Sequence, residues 1–234
     1  MATIISYLNN NKESLQKSLK ALDFCDEIMK CHGHIHILYM IIEYLDEVYN
    51  RVNIRYLEIG TFQGGSLSVC MQFPKQIELT GIDFFNEEKG HRYSLQNATN
   101  NIEKFNIYDH QYRLISGDST HESTYEKLTG LYDIIFIDGD HSYDGVIKDF
   151  NIYRKYIKKK SFIVFDDYHS MNSVPKAVND IVKTLDRKEW IIHGSVFNLL
   201  PNKCSRLHFK NHPKADYLDD GDFLMNNEYI IEKF

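Results

Sequence analysis

From Arg55 onward the chain alternates short apolar runs with amphipathic stretches, and each run ends at or just before Gly, Asp or Ser. This rhythm narrows the possible folds more than any other feature. The runs are Arg55–Ile59, Glu78–Asp83, Tyr112–Ser116, Tyr132–Asp138 and Ser161–Asp166. Helix-like segments around Ser66–Phe73, Ser94–Phe105, Ser123–Leu128 and Gly145–Tyr156 separate them. Short strands alternating with helices predict a doubly wound α/β fold, a mostly parallel sheet with helices on both faces. Ile134-Ile135-Phe136-Ile137 is apolar on both alternations, as a central strand covered on both sides requires. Val174–Leu185 reads as one more helix, and Trp190–Leu200 with Lys203–Phe209 as an antiparallel hairpin at the sheet edge.

Residues 1–50 precede this pattern and have helical spacing: Leu15, Leu19 and Leu22, then Ile37, Met40, Ile41, Tyr44, Leu45 and Val48. They are expected to form a helical lid or dimer face on a core spanning residues 51–213. Residues 214–234 form an acidic, then apolar tail of the same domain, with no position in the alternation.

Composition sets outer bounds. The 234 residues suffice for one sizeable domain. A hydrophobic fraction of 43% with 16 Tyr and 14 Phe can fill a core without disulfides. A net charge of −6, from 27 basic against 33 acidic residues, argues against a nucleic-acid surface, which needs a basic stripe. The one dense basic run, Lys158-Lys159-Lys160, reads as a solvated turn. Cys25, Cys31, Cys70 and Cys204 show no paired spacing and read as reduced thiols. No stretch approaches the roughly 18–20 apolar residues that span a bilayer, and the start lacks a signal-peptide profile. A cytoplasmic protein with a small-molecule acceptor, without membrane or nucleic-acid partners, is expected.

The strongest local signal is Tyr56-Leu57-Glu58-Ile59-Gly60-Thr61-Phe62-Gln63-Gly64-Gly65-Ser66, which follows a strand and opens a helix. Glycines there let the backbone bend and approach a ligand closely. The spacing misses the G-x-G-x-x-G pyrophosphate fingerprint, and an acid, Glu58, stands before the first glycine. An acid there repels a pyrophosphate but suits a cationic ligand such as a sulfonium amino acid. Asp83 ends the second strand, where a carboxylate accepts from both ribose hydroxyls, and Gly117-Asp118-Ser119 after the third suits an adenine edge. A structural turn is the bland alternative, and an NAD-binding oxidoreductase the rival from another enzyme class.

Together these strand-end residues resemble class I S-adenosylmethionine-dependent methyltransferases. Asp138-Gly139-Asp140-His141-Ser142-Tyr143 and Phe165-Asp166-Asp167-Tyr168 resemble the branch with macrocin-type sugar O-methyltransferases and their catechol and caffeoyl-CoA relatives. The resemblance spans about Arg55 to Leu185 and implies a Rossmann-like, seven-stranded sheet. It implies a donor site at Glu58, Gly60, Thr61, Gly64, Gly65, Ser66, Asp83, Asp118, Ser119 and Asp138. It also implies Mg2+ or a similar divalent cation on Asp138, Asp166 and Asp167, and methyl transfer to a hydroxyl of a sugar or other polyhydroxylated molecule. A catechol or phenol is the alternative acceptor.

Elementary electrostatics points the same way for the acids. Three carboxylates converging at one sheet edge need a counter-charge, and a hard divalent cation supplies it. A polar turn at Asp166–Asp167 and a helix cap at Asp138 would be the structural reading. Two residues compete as the catalytic base: Asp140, which matches the base position of the sugar enzymes, and His141, whose ordinary pKa is near neutral. The run Cys31-His32-Gly33-His34-Ile35-His36 is weak as a zinc site and fits a lid better; Tyr168 and His169 are candidates for the acceptor side.

Overall fold

In the computed structural model, residues 3–29, 33–169, 171–196 and 228–234 are described. Among these residues seven strands form one sheet: β1 Ile54–Ile59, β2 Ile77–Asp83, β3 Gln111–Ser116, β4 Tyr132–Ile137, β5 Ile157–Phe165, β6 Trp190–Ser195 and β7 Tyr229–Lys233. Their order across the sheet is β3-β2-β1-β4-β5-β7-β6. The β3-β2, β2-β1, β1-β4 and β4-β5 pairs are parallel. β7 alone runs against its neighbours, pairing antiparallel with both β5 and β6.

Side-chain alternation explains why helices cover both faces. In β4, Ile134 and Phe136 enter one core while Ile135 and Ile137 enter the other. In β5, Phe162 and Val164 are divided from Ile163 and Phe165 in the same way. The first core takes the N-terminal helices α1 Ile4–Asn10, α2 Lys12–Phe24 and α4 His36–Glu47, with α5 Gly65–Cys70 and α6 Leu95–Phe105; a short α3, Asp26–Met29, follows α2. The second core takes α8 Tyr143–Tyr153 and α9 Ser173–Thr184, beside the single-turn α7 Glu122–Tyr125. Helix starts follow the polar residues ahead of them: Ser94 accepts from Asn97 N–H and Ser142 from Gly145 N–H.

The N-terminal segment is more deeply embedded than its amphipathic spacing suggested. Every residue of α4 from His36 to Leu45 is buried, so this helix is core, and only the residues just ahead of it reach the carboxyl edge of the sheet. Three further details differ from the sequence-based expectations. Lys158-Lys159-Lys160 lies within β5 and not in a turn; Lys158 donates to the buried Asp133 at 2.6 Å. The predicted hairpin partner Lys203–Phe209 lies outside the described residues. The antiparallel strand next to β6 is instead Tyr229–Lys233, from the tail, because its apolar Ile230 and Ile231 close the two cores between β5 and β6. Among the described residues no helix is long and apolar enough to cross a membrane.

Asp133, fully buried near the start of β4, ties three elements together. It meets Arg51 Nε at 3.0 Å and Lys158 Nζ at 2.6 Å, and accepts from Arg55 N–H at 2.8 Å. Removing one side of such a group strands the other charges. Asp133→Ala is therefore expected to lower stability by about 3–5 kcal/mol, read from urea unfolding curves; a loss below about 1 kcal/mol would mean the two cations re-solvate freely.

Candidate active site

At their carboxyl ends the strands stay hydrogen-bonded one residue beyond the sheet proper. Gly60 N–H donates to Ile82 O (2.8 Å), Gly117 N–H to Asp83 O (2.9 Å), Asp138 N–H to Ile59 O (2.9 Å) and Asp166 N–H to Ile137 O (3.1 Å). Each strand-end residue is thus pinned to its neighbour. Gly60, Asp83, Asp118, Asp138 and Asp166 all open onto one cavity of about 1010 Å³.

The glycine turn shows why glycine is required. Gly60 has φ +95°, and a Cβ there would lie 1.9 Å from the carbonyl oxygen of Asp138. Phe62 follows at φ +48° and donates its N–H to Asp83 Oδ2 at 2.7 Å. Phe85 N–H donates to Asp83 Oδ1 at the same distance, so the carboxylate is locked between two turns and faces the cavity. Asp118 accepts from Thr120 N–H and Oγ1, both at 2.8 Å, and the Thr120 N–H holds its carboxyl below the usual range.

Other predicted donor residues take different positions. Ser119 lines the cavity but spends its hydroxyl on the buried Asp149, at 2.7 Å. Thr61, Gly64, Gly65 and Ser66 are not among the lining residues. Thr61 is buried, with its hydroxyl near Ile82 O, and Gly64 caps α5 at φ +77°. Glu58 is fully buried behind the turn and accepts from Tyr56 Oη at 2.7 Å. Burial pushes its carboxyl up to about 8, against the pull of the Ser66 and Tyr56 hydroxyls. An acid held in that state gains charge most readily when a cation arrives beside it.

The acids and histidines at the other end form two groups. Asp138, His141 and Asp167 bring ligand atoms within 4.8 Å of one another, with His141 Nε2 at 3.1 Å from Asp138 Oδ1 and 3.2 Å from Asp167 Oδ2. The Asp138 hydrogen bond raises the His141 pKa, and desolvation raises that of Asp138. Asp167 adopts φ +56°, a left-handed conformation that aspartate tolerates. Asp166 lines the same cavity but belongs to the second group, with His34 and Glu228. Asp140 accepts from Ser142 N–H at 2.9 Å and Ser142 Oγ at 2.8 Å, so both its oxygens brace the start of α8.

His34 was legible only as part of a lid, and Glu228 was missed altogether. The signal for Glu228 is an acid directly ahead of an apolar run, Tyr229-Ile230-Ile231, but its significance emerges only from the register. Phe165 pairs with Tyr229, which places Asp166 and Glu228 side by side. Cys31 and His32 of the histidine-rich run lie outside the described residues, and His36 is buried within α4. Tyr168 and His169 do not line the cavity; Tyr168 donates to Asn179 and packs on Tyr229 at 4.7 Å.

Over residues 57–168 the chain matches the family described as "Methyltransferase domain". Match and fold agree: residues 57–168 form a methyltransferase domain, and the seven-stranded sheet has the Rossmann-like methyltransferase fold. The chain belongs to the same family as an uncharacterized protein of Acanthamoeba polyphaga mimivirus, to which it is 37% identical over 211 residues, 86% of this chain and 87% of the relative. Its fold is similar to that of an O-methyltransferase from Bacillus cereus in complex with S-adenosylhomocysteine (TM-score 0.56, 14% identity, 95% of this chain and 90% of that one). It is also similar to the O-methyltransferase TomG from Streptomyces achromogenes in complex with S-adenosylmethionine (TM-score 0.54, 14% identity, 95% and 90%). Nothing in these comparisons supports the oxidoreductase alternative.

The raised Glu58 pKa has a consequence for stability. The folded protein keeps a proton that the unfolded chain releases above the ordinary value of 4.5, so stability falls as pH rises from there to about 8. Glu58→Gln is expected to flatten that decline and to exceed the wild type at pH 8, by on the order of a few kcal/mol at about 1.4 kcal/mol per pKa unit. Urea titrations of the ligand-free protein from pH 5 to 8 measure it; a variant less stable than wild type at pH 8 contradicts the burial account.

Proposed function

We propose that the chain transfers the methyl group of S-adenosylmethionine to a hydroxyl oxygen of a sugar or similar polyhydroxylated small molecule, beside a divalent cation of the Mg2+ type. One observation carries this reading: the donor-side residues Gly60, Asp83 and Asp118 share a single cavity with Asp138, His141, Asp166 and Asp167. The character of the wall supports a polar acceptor over a flat aromatic one. Its aromatic members gather on the donor side, where Phe62 packs on Tyr93 at 5.2 Å and Phe84 follows Asp83. Ile59 and Ile82 lie at the strand ends, and the other side carries polar side chains, among them Asp140, Ser142, Asp144 and Lys148.

Asp83 would receive the ribose hydroxyls and Asp118 the adenine edge, while Glu58 behind the turn favours the positive end of the donor. Asp138 and Asp167 would hold the cation, and their oxygen donors fit a hard divalent ion; Asp166, expected as a third ligand, turns instead to His34 and Glu228. A divalent ion held by these residues would act as a Lewis acid and lower the pKa of the acceptor hydroxyl. His141 is the better base: Ser142 engages both oxygens of Asp140, whereas Asp138 and Asp167 both meet His141 at Nε2. The acceptor oxygen attacks the methyl carbon in line, the C–S bond breaks, and the proton passes to His141. S-adenosylhomocysteine leaves as a neutral thioether.

Calorimetric titration and turnover assays test this in separable parts. S-adenosylhomocysteine is expected to bind and NAD not to, and Asp83→Ala to weaken that binding more than tenfold. Chelation should abolish most turnover on sugar acceptors while leaving S-adenosylhomocysteine affinity unchanged. His141→Gln should reduce kcat by roughly 10²–10⁴. Full turnover after chelation removes the cation from the mechanism; NAD binding without S-adenosylhomocysteine binding overturns the reading as a whole.

A further inference from the structure

Three residues far apart in sequence meet at the edge of the cavity: His34 in the turn ahead of α4, Asp166 after β5 and Glu228 ahead of β7. His34 Nδ1 lies 2.9 Å from Glu228 Oε1 and 3.5 Å from Asp166 Oδ1, and the ligand atoms of all three fall within 4.8 Å of one another. Glu228 is fully buried and Asp166 is 6% exposed. Asp166 Oδ1 is buried, points toward His34 and accepts no hydrogen bond. A buried oxygen left without a hydrogen bond is costly, and the His34 imidazole, engaged by Glu228 at 2.9 Å, offers it only the longer ion pair at 3.5 Å.

We infer that His34, Asp166 and Glu228 form a second divalent-cation site, distinct from the group of Asp138, His141 and Asp167. A cation entering the site displaces the His34 proton, and two carboxylates with the neutral imidazole then balance its charge of +2. One nitrogen and two oxygen donors select a transition cation such as Mn2+, Co2+ or Zn2+ over Mg2+, which favours oxygen and water. Because His34 and Asp166 both line the cavity, the site remains reachable from solvent. A cation there clamps the segment ahead of α4 to the ends of β5 and β7. The site stands whether or not the methyl-transfer mechanism uses a cation of its own.

The test uses the full chain carrying Asp138→Asn and Asp167→Asn, which disables the first group. Free Mn2+ is followed by electron paramagnetic resonance during titration. One bound Mn2+ per chain is expected to remain, and adding either His34→Gln or Glu228→Gln should weaken it more than tenfold. Co2+ loaded into the same doubly substituted protein should give a paramagnetically shifted imidazole N–H resonance, a readout independent of whether the further variants fold. The inference is overturned if that protein takes up no Mn2+ at millimolar concentration, if both added variants keep affinity within twofold, or if no shifted imidazole resonance appears. Loss of activity on chelation with Mn2+ uptake unaffected by His34→Gln would likewise refute this site while sparing the catalytic cation.

Discussion

The site depends on one close approach, that of the Gly60 backbone to the carbonyl of Asp138. The space there admits no side chain: a Cβ would sit 1.9 Å from the oxygen. This lets the chain leaving β1 pass directly over the chain leaving β4, so the residues that follow both strands face one cavity. The hydrogen bonds from Gly60, Asp138 and Asp166 to the neighbouring strands carry the register of the sheet outward to these residues. Geometry at the carboxyl edge is thus inherited from the most rigid part of the fold. Catalytic constellations built in this way need little help from flexible loops.

That edge accumulates negative charge. Glu58, Asp138 and Asp166 are all shifted toward their protonated forms by burial, and in each case a neighbouring hydroxyl or histidine pulls the other way. Burial alone would disfavour the charged imidazole of His34, yet Asp166 and Glu228 outweigh it and push its pKa up to about 10. Each group therefore carries one histidine between two carboxylates. The cavity thus gathers more carboxylates than cationic side chains, a setting that would suit the proposed sulfonium donor and cation.

Much of this was legible in the sequence, and the division is instructive. Strands β1 to β5 and the residues ending them could be placed because each apolar run closes on a glycine or acid, and parallel strands bring those ends to one edge. Asp83, Asp118, Asp138, Asp166 and Asp167 line the cavity at that edge for this reason, although Asp166 turns to His34 and Glu228 and away from the other two acids expected beside it. Thr61 and Ser66 did not reach the cavity, because spacing along a turn says nothing of which way a side chain points. The pairing of Asp166 with His34 and Glu228 was illegible for another reason: it depends on the register of an antiparallel strand drawn from the tail, and no local pattern encodes that partner. The lysine run was misread because charge suggested solvent, whereas the buried Asp133 gave Lys158 a place in a strand.

The insertion of β7 between β5 and β6 has a consequence for how the molecule assembles. Strands β1 to β5 are joined by short crossovers and can pair as they become available. Among the described residues β6 pairs with β7 alone, whose residues come more than thirty positions later in the chain. Pairings of such long sequence separation pay the largest loop-closure cost and form late. Until then β5 presents an open edge, with Asp166 uncovered and Glu228 elsewhere. Maturation of the second histidine–carboxylate group is therefore the same event as closure of the sheet, and a chain that has not finished folding lacks that wall of its cavity.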